Sequence, residues 1–215
     1  MLKISLDNDS PKKILCLGAH CDDIEIGCGG TIIKLVRTLK DAEIQWVVFS
    51  SDDRRGKEAL KSAKDFLKDV KKKNIVIKRF RNSFFPYYGA EIKEYFEQLT
   101  KEYSPDIIFT HFRNDLHQDH RLISELTWNT YRNHMILEYE IPKYDGDLGS
   151  PNFFVSLDDV ICRKKIDNIL KYFQSQCDKA WFTSDTFLSI LRLRGVESNA
   201  PDKYAEGFYC RKIIL

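Results

Sequence analysis

The sequence predicts an α/β protein with a doubly wound, mostly parallel sheet and helices on both faces. Short apolar runs alternate with segments of helical periodicity, and polar clusters follow several of the runs. The first run, Ile14–Leu17, has no polar alternation, which is typical of a strand buried on both faces of a parallel sheet. With 215 residues, 43% of them hydrophobic, the chain suits a single domain, residues 1–215, with a sizeable core.

Strands and helices alternate along the whole chain. Ile14–Leu17 is the first predicted strand, and Ile32, Ile33, Val36 and Leu39 recur at helical spacing in the helix after it. The later predicted strands are Ile44–Phe49, Ile75–Ile77, Asp106–Thr110, Met135–Glu140, Asn152–Ser156 and one within Tyr204–Ile213. The later predicted helices are Arg55–Lys72, Glu91–Lys101, Leu122–Arg132, a helix capped by Asp158 that runs to Phe173, and Asp185–Arg194.

The charge balance and hydropathy exclude several classes of partner. Lys and Arg number 34 against 32 Asp and Glu, a net charge of +2, so no global field attracts nucleic acid. No segment approaches the roughly 20 apolar residues that span a bilayer. Met1–Ser10 lacks the apolar core of a signal peptide, so we expect a cytoplasmic protein that acts on a small molecule. A homo-oligomer is compatible with this composition.

The six cysteines favour reduced thiols over a disulfide framework or a zinc ribbon. They include no CxxC pair, and several lie within predicted strands or packed segments. Cys21 differs from the others because it lies inside a cluster of polar residues.

That cluster, Ala19-His20-Cys21-Asp22-Asp23, follows the first predicted strand. Ligands of open α/β sheets bind at the carboxyl ends of the strands, where these side chains fall. The imidazole of His20 and the carboxylate of Asp23 can converge on one cation if the turn folds back, which leaves Asp22 unbound. The alternative interpretation is a solvated acidic loop.

A second cluster follows the fourth predicted strand. Three of the five histidines in the chain lie within His111–Arg121. His117 and His120 are three residues apart and share one face at a helix start, with Asp119 alongside to accept a ring N–H and fix a tautomer. Together with His20 and Asp23, this concentration predicts a metal site.

Two histidines and one carboxylate leave coordination positions open, as in catalytic zinc sites, and the same set also suits Fe²⁺. Water bound to such a metal loses a proton near neutral pH, which favours hydrolysis. Asp22 is then a candidate base. His117, paired with Asp119 and so biased toward its charged form, is a candidate acid or oxyanion stabiliser.

The motifs Ala19–Asp23, Gly27–Thr31 and His117-Gln118-Asp119-His120 resemble those of the PIG-L/LmbE-like deacetylases, a family related to N-acetylglucosaminyl-phosphatidylinositol de-N-acetylase. Supporting segments extend along most of the chain: Arg55–Glu58, Pro105–His111 and Tyr204–Glu206. The resemblance implies a Rossmann-like fold and a zinc-dependent hydrolase that removes an acetyl group from an N-acetylated amino sugar.

By this resemblance His20, Asp23 and His120 hold the metal, Asp22 is the base, and His117 stabilises or protonates, oriented by Asp119. Arg55 lies where the family uses an arginine to hold substrate; otherwise it is a solvated residue at a helix start. Cys21 stands where the family usually has proline, which indicates either a small residue in proline's place or a thiol near the metal.

Other functions remain open from the sequence. The same machinery suits an amidase that cleaves a larger acyl or thiol-sugar conjugate. A non-heme iron oxygenase uses the same ligand types but usually a barrel of antiparallel strands, which the strand and helix alternation disfavours. A non-catalytic metal-binding or sugar-binding module has no need for Asp22 and His117 beside the ligands.

Overall fold

The computed structural model describes residues 12–39 and 41–214. Met1–Ser10, in which we expect no signal peptide, lies outside the described residues. The described part confirms the predicted α/β fold, with a mostly parallel sheet. Its seven strands are β1 (Lys13–Gly18), β2 (Glu43–Val48), β3 (Lys72–Ile77), β4 (Ile107–His111), β5 (Met135–Tyr139), β6 (Phe153–Leu157) and β7 (Tyr204–Cys210).

The strand order is β3-β2-β1-β4-β5-β7-β6. Strands β1 to β5 are parallel, and β7 lies antiparallel between β5 and β6. The chain leaves β1 for β2 on one side and returns to β4 on the other, so the strand order reverses beside β1. A crevice opens at such a point, outside the carboxyl ends of the strands.

Within the described residues six α-helices cover the sheet. They are α1 (Asp23–Thr38), α2 (Asp53–Phe66), α3 (Gly89–Glu102), α4 (Gln118–Thr130), α5 (Asp159–Tyr172) and α6 (Ser184–Glu197). Asp158 caps α5 as predicted, because its carboxylate accepts a hydrogen bond from the Ile161 N–H at 2.7 Å. Buried apolar residues form one core on each face of the sheet. No helix of the described residues is long and apolar enough to cross a membrane.

Helix α2 is shorter than the sequence predicts. It ends at Phe66 rather than Lys72, and Lys72 begins β3, where it pairs with Glu43 of β2. Leu67 and Val70 are buried in the core after the helix, which ends six residues before the predicted position. The lysine-rich run Lys71–Lys73 is exposed, and most of it belongs to the edge strand β3.

A buried ion pair contacts the middle of α1. The carboxylate of Glu206 in β7 accepts hydrogen bonds from the N–H groups of Gly30 and Thr31, at 2.8 and 2.6 Å. The amine of Lys165 in α5 donates to the Ile26 carbonyl at 2.7 Å and lies 2.6 Å from Glu206. An α-helix pairs the N–H of residue 30 with the carbonyl of residue 26, and here each of these two groups has a charged side-chain partner. Glu206 therefore connects α1 to β7 through hydrogen bonds.

Candidate metal centre and active site

The two clusters meet at the carboxyl ends of β1 and β4. The sequence separates them by about half its length, but β1 and β4 are neighbours in the sheet, with Cys16 opposite Phe109. The clusters form one side of a cavity of about 280 Å³. Its wall consists of His20, Asp22, Asp23, Ile26, Arg55, Asn82, His117, His120, Ile141, Lys143, Tyr144, Asp145, Lys179 and Trp181.

Three side-chain atoms lie at the corners of a small triangle. His20 Nδ1 is 3.1 Å from His120 Nε2 and 3.4 Å from Asp23 Oδ2, and the last two atoms are 3.6 Å apart. All three side chains are buried. Ligands about 2.1 Å from a tetrahedral Zn²⁺ lie about 3.4 Å from one another. The three residues that the sequence predicts as ligands therefore fit a divalent cation.

The turn after β1 folds back, so that the side chains of His20 and Asp23 approach the same point. The backbone N–H of His20 donates to Asp23 Oδ2 at 2.6 Å. Burial raises the pKa of Asp23, but the neighbouring rings of His120, His111 and His20 outweigh burial and hold the pKa well below its usual range. Asp23 is thus held as a carboxylate at the start of α1.

His111 belongs to the cluster, although the sequence does not assign it to the site. Its Nε2 atom lies 3.1 Å from Asp23 Oδ2 and accepts a hydrogen bond from the Ala19 N–H at 2.9 Å. Its ring stacks on that of His120 with centroids 3.9 Å apart. Asp23, His111 and His120 form a second group that could hold a metal ion, and His20, His117 and His120 form a third. The sequence feature that could have identified His111 is its position directly after the fourth predicted strand.

Asp22 and Arg55 form an ion pair on the cavity wall. Arg55 Nη2 donates to Asp22 Oδ1 at 2.9 Å, and Asp22 is 4% exposed. Burial raises the pKa of Asp22, while the Arg55 guanidinium opposes this shift. The buried Nε of Arg55 has no hydrogen-bond partner among the described residues. Arg55 therefore holds Asp22 in place and keeps one donor unpaired.

The Asp119 carboxylate does not orient His117, in contrast to the prediction. It contacts His20 Nε2 at 3.2 Å and accepts hydrogen bonds from the backbone N–H groups of Ser83 and Phe85, at 2.6 and 3.1 Å. Residue 119 lies in the first turn of α4, and its side chain reaches across to the 82–85 loop. Its backbone N–H, not its carboxylate, donates to His117 Nδ1, at 3.2 Å.

This arrangement changes the expected state of His117. Because Nδ1 accepts a backbone hydrogen bond, a neutral His117 carries its proton on Nε2. Burial lowers the pKa of His117, with a further contribution from His20. The prediction of a ring biased toward its charged form is therefore not supported, and the ring suits a neutral hydrogen-bond donor on the cavity wall.

Two further residues, Asp115 and Lys143, support the centre, and the sequence alone assigns neither to it. Asp115 Oδ2 lies 2.9 Å from His120 Nδ1 and 2.9 Å from the amine of Lys143. Asp115 lies within the second histidine cluster, two residues before His117, and this position was a usable signal. Lys143 lies 28 residues from Asp115 in the sequence, in a loop with no motif. Only the fold brings it to the site.

Cys21 lies beneath the cluster and not among the cavity-lining residues. It is fully buried, and its thiol donates to the Ser50 carbonyl at 3.3 Å. Burial raises the pKa of this thiol above its usual range. This environment fits the interpretation of Cys21 as a small packing residue.

Solved structures of several enzymes share this fold. An N,N'-diacetylchitobiose deacetylase from Pyrococcus horikoshii is 25% identical, with a TM-score of 0.69 over 95% of this chain and 87% of that one. A zinc-inhibited form of a teicoplanin deacetylase is 14% identical, with a TM-score of 0.68 over 92% and 97%. A 4-carboxy-2-hydroxymuconate hydratase from Pseudomonas putida is 14% identical, with a TM-score of 0.70 over 95% and 98%. The last two likenesses show the fold alone.

The family model for GlcNAc-PI de-N-acetylase (PIG-L) matches residues 15–131. This region is more than half of the chain and contains both clusters, Ala19–Asp23 and His111–Arg121, together with Arg55. The chain therefore belongs to the PIG-L family.

Proposed function

We propose that this protein is a metal-dependent hydrolase that removes the N-acetyl group from an amino sugar or sugar conjugate. The observation that carries the proposal is the convergence of ligand atoms from His20, Asp23 and His120 beside a cavity that Asp22 and His117 also line. Family membership supports it, because the family description names a de-N-acetylase of a GlcNAc conjugate. In this proposal residues 1–215 form one catalytic domain.

We propose zinc as the metal, held by His20, Asp23 and His120. A divalent cation there would lower the pKa of a water molecule bound to it and polarise the acetyl carbonyl. The ligand set also suits Fe²⁺. Since the solved teicoplanin deacetylase is described as a zinc-inhibited form, each metal should be tested for activity as well as for binding.

Asp22 is the proposed base. The raised pKa that burial gives its carboxyl group suits a group that takes a proton from water and returns it to the leaving amine. Arg55 holds the carboxylate at 2.9 Å, so its orientation is set before substrate binds. With Nδ1 bound to the backbone, His117 directs its Nε2–H at the carbonyl oxygen, where negative charge develops. Asp119 acts through His20, whose ring it holds.

The cavity favours a small acyl group over the larger conjugates that an amidase would cleave. Its volume of about 280 Å³ lies just below the usual range for ligand sites, roughly 300–1,000 Å³. A sugar ring with its acetyl group would already occupy much of this space. The parallel sheet also disfavours the iron oxygenase reading, because that chemistry usually resides in an antiparallel barrel.

The test is acetate release from a panel of N-acetylated sugars. Metal-free protein would be loaded separately with Zn²⁺, Fe²⁺, Co²⁺ and Ni²⁺, and metal content would be measured beside the rate. We expect release with at least one metal and almost none from the Asp22→Asn variant carrying the same metal. A fully loaded protein that releases no acetate from any N-acetyl sugar would overturn the proposal.

A further inference from the structure

We infer that Lys143 is a positioning residue for the proposed metal centre, because its amine fixes the carboxylate that orients the proposed ligand His120. This inference rests on the proposed function, since it concerns the metal site of that function. Lys143 follows β5 and lies beyond residues 15–131, the region that the family model matches. Its role is therefore argued from its contacts and not from family membership.

The amine of Lys143 contacts carboxylates from two different loops. Its Nζ atom lies 2.9 Å from Asp115 Oδ2 and also contacts Asp147 Oδ2. The side chains of Asp115, Lys143 and Asp147 are 2%, 10% and 6% exposed. The third N–H of the ammonium group faces the Ile141 carbonyl, with the oxygen 3.5 Å from Nζ. Although Lys143 lines the cavity, its donors are thus directed at the protein, as a positioning residue requires.

Asp115 connects this amine to both histidines of the site that follow β4. Its Oδ1 atom accepts a hydrogen bond from the backbone N–H of His117 at 2.8 Å, and its Oδ2 atom lies 2.9 Å from His120 Nδ1. The opposite ring atom, His120 Nε2, faces His20 and Asp23. A shift of the Asp115 carboxylate would therefore turn the His120 ring away from the proposed metal.

The charge of Lys143 keeps two carboxylates together in a buried place. Without the ammonium group, Asp115 and Asp147 would face each other with no counter-charge between them, and such an arrangement is costly away from water. Asp147 is itself fixed, because it accepts a hydrogen bond from the Leu116 N–H at 2.7 Å. The repulsion would therefore act on the carboxylate that holds His120.

The loop that carries Lys143 is fixed at both ends by one residue of α6. The Arg194 guanidinium, 3% exposed, binds the two carboxylate oxygens of Glu140, where the loop begins, at 2.6 and 2.7 Å. It also donates to the Gly149 carbonyl, where the loop ends, at 3.0 Å. The fold therefore sets the position of Lys143 before any ligand binds, as the support of a precise site requires.

The experiment measures the Zn²⁺ affinity of the full chain by competition with a coloured chelator. Lys143→Met keeps most of the side-chain length and removes the charge. We expect it to weaken Zn²⁺ binding about tenfold, the lower end of the 10–100-fold contribution of groups that orient ligand histidines. Lys143→Arg should recover most of this loss, because a guanidinium group also bridges carboxylates.

Lys34→Met is the matched control. The half-buried amine of Lys34 donates to the Ser156 carbonyl at 2.6 Å, and Lys34 does not line the cavity. This variant should bind Zn²⁺ as tightly as the wild type. Unchanged affinity in Lys143→Met, or an equal loss in Lys34→Met, would overturn the inference.

A double variant tests the route through Asp115. If Lys143 acts through this carboxylate, Asp115→Asn combined with Lys143→Met should bind Zn²⁺ no more weakly than Asp115→Asn alone. Additive losses would overturn the inference, because they would mean that the two residues act independently.

Turnover of the fully zinc-loaded protein separates positioning from substrate binding. Lys143→Met should keep the KM for an N-acetyl sugar within about twofold of the wild-type value, since the amine faces the protein. A raised KM together with unchanged Zn²⁺ affinity would make Lys143 a substrate-binding residue and overturn the inference.

The tautomer of His120 gives a readout that needs neither metal nor turnover. Long-range proton–nitrogen NMR of the metal-free protein should show the ring proton on Nδ1 in the wild type and on both nitrogens in Lys143→Met. A Zn²⁺ affinity and a tautomer that depend on Lys143, without acetate release from any N-acetyl sugar, would overturn the proposed function and keep the inference. Acetate release with both quantities independent of Lys143 would do the reverse.

Discussion

Asp115 Oδ2 lies 2.9 Å from His120 Nδ1, on the side of the ring opposite the atom that faces His20 and Asp23. Burial raises the pKa of Asp115, but the hydrogen bond from His120 and the charge of Lys143 outweigh it and hold the pKa below its usual range. The carboxylate therefore keeps the His120 proton on Nδ1. The lone pair of Nε2 is then directed at the proposed metal.

Replacing Asp115 should weaken metal binding without removing a proposed ligand. Carboxylates that orient ligand histidines contribute about 10–100-fold in metal affinity. We expect Asp115→Asn to lose affinity in that range, as measured by competition with a coloured chelator. Asp145→Asn, in the loop after β5 and with no hydrogen bond or ion pair to His120 among the described residues, is the control. An unchanged affinity in Asp115→Asn would show that His120 keeps its orientation without this contact.

Variants of Asp22 and His120 should lose activity for different reasons. Asp22→Asn should keep its metal and lose about 10²–10⁴-fold in kcat, the usual contribution of a general base. His120→Ala should lose the metal itself, as measured by metal content after dialysis. Full metal occupancy after replacing His20, Asp23 and His120 together would refute the assignment of the site.

Gly27 should tolerate no side chain. A Cβ atom there would lie 2.1 Å from the ring of Tyr139, whose hydroxyl donates to the Leu17 carbonyl at 2.6 Å and so holds the ring in place. We expect Gly27→Ala to lower the free energy of unfolding by about 1–3 kcal/mol, as other overpacked sites do.

Gly89→Ala is the matched control, because its Cβ would meet nothing within 4 Å in the first turn of α3. It should be neutral or raise stability by about 0.4–1 kcal/mol, because alanine restricts the unfolded chain. Urea titration measures both variants. Equal effects would mean that the Tyr139 ring can move aside.

Cys177 should react with a thiol reagent faster than Cys21. The Cys21 thiol is buried, donates to Ser50, and has a pKa that burial raises, so little thiolate forms at neutral pH. Cys177 is exposed. Iodoacetamide at pH 8 should therefore label Cys177 well before Cys21 in the native protein, as peptide mass spectrometry would show. Comparable labelling would indicate a reactive thiol beneath the proposed metal.

Breaking the buried pair of Glu206 and Lys165 should destabilise the fold strongly. Glu206→Gln leaves the Lys165 amine, 2% exposed, without its counter-charge. Loss of one partner of a buried pair costs about 3–5 kcal/mol. Denaturant unfolding would measure this loss. A loss below about 1 kcal/mol would mean that Lys165 finds another partner or loses its charge.

The order of strands and helices was predictable because buried parallel strands and amphipathic helices have local signatures. The roles of residues that act through contacts distant in sequence were not predictable. Asp119 carries a sequence pattern that associates it with His117, but the backbone of the 82–85 loop offers its carboxylate two donors at the same place. Lys143 reaches Asp115 only because β5 lies next to β4, which no local pattern encodes. Similarly, the end of α2 at Phe66 depends on the burial of Leu67 and Val70 in the core, which the helical periodicity of the sequence does not show.

The contact of Glu206 with α1 joins an early helix to a late strand, so it can form only late in synthesis, which proceeds from the amino terminus. All three proposed metal ligands have been incorporated into the chain once His120 has been added. The helix that carries Asp23 then still lacks the carboxylate that binds the N–H groups of Gly30 and Thr31, because that carboxylate belongs to the last strand. A nascent chain thus contains the three proposed ligands well before it contains the carboxylate that connects α1 to β7. The proposed ligand set is therefore complete in the growing chain before the contact between α1 and β7 can form.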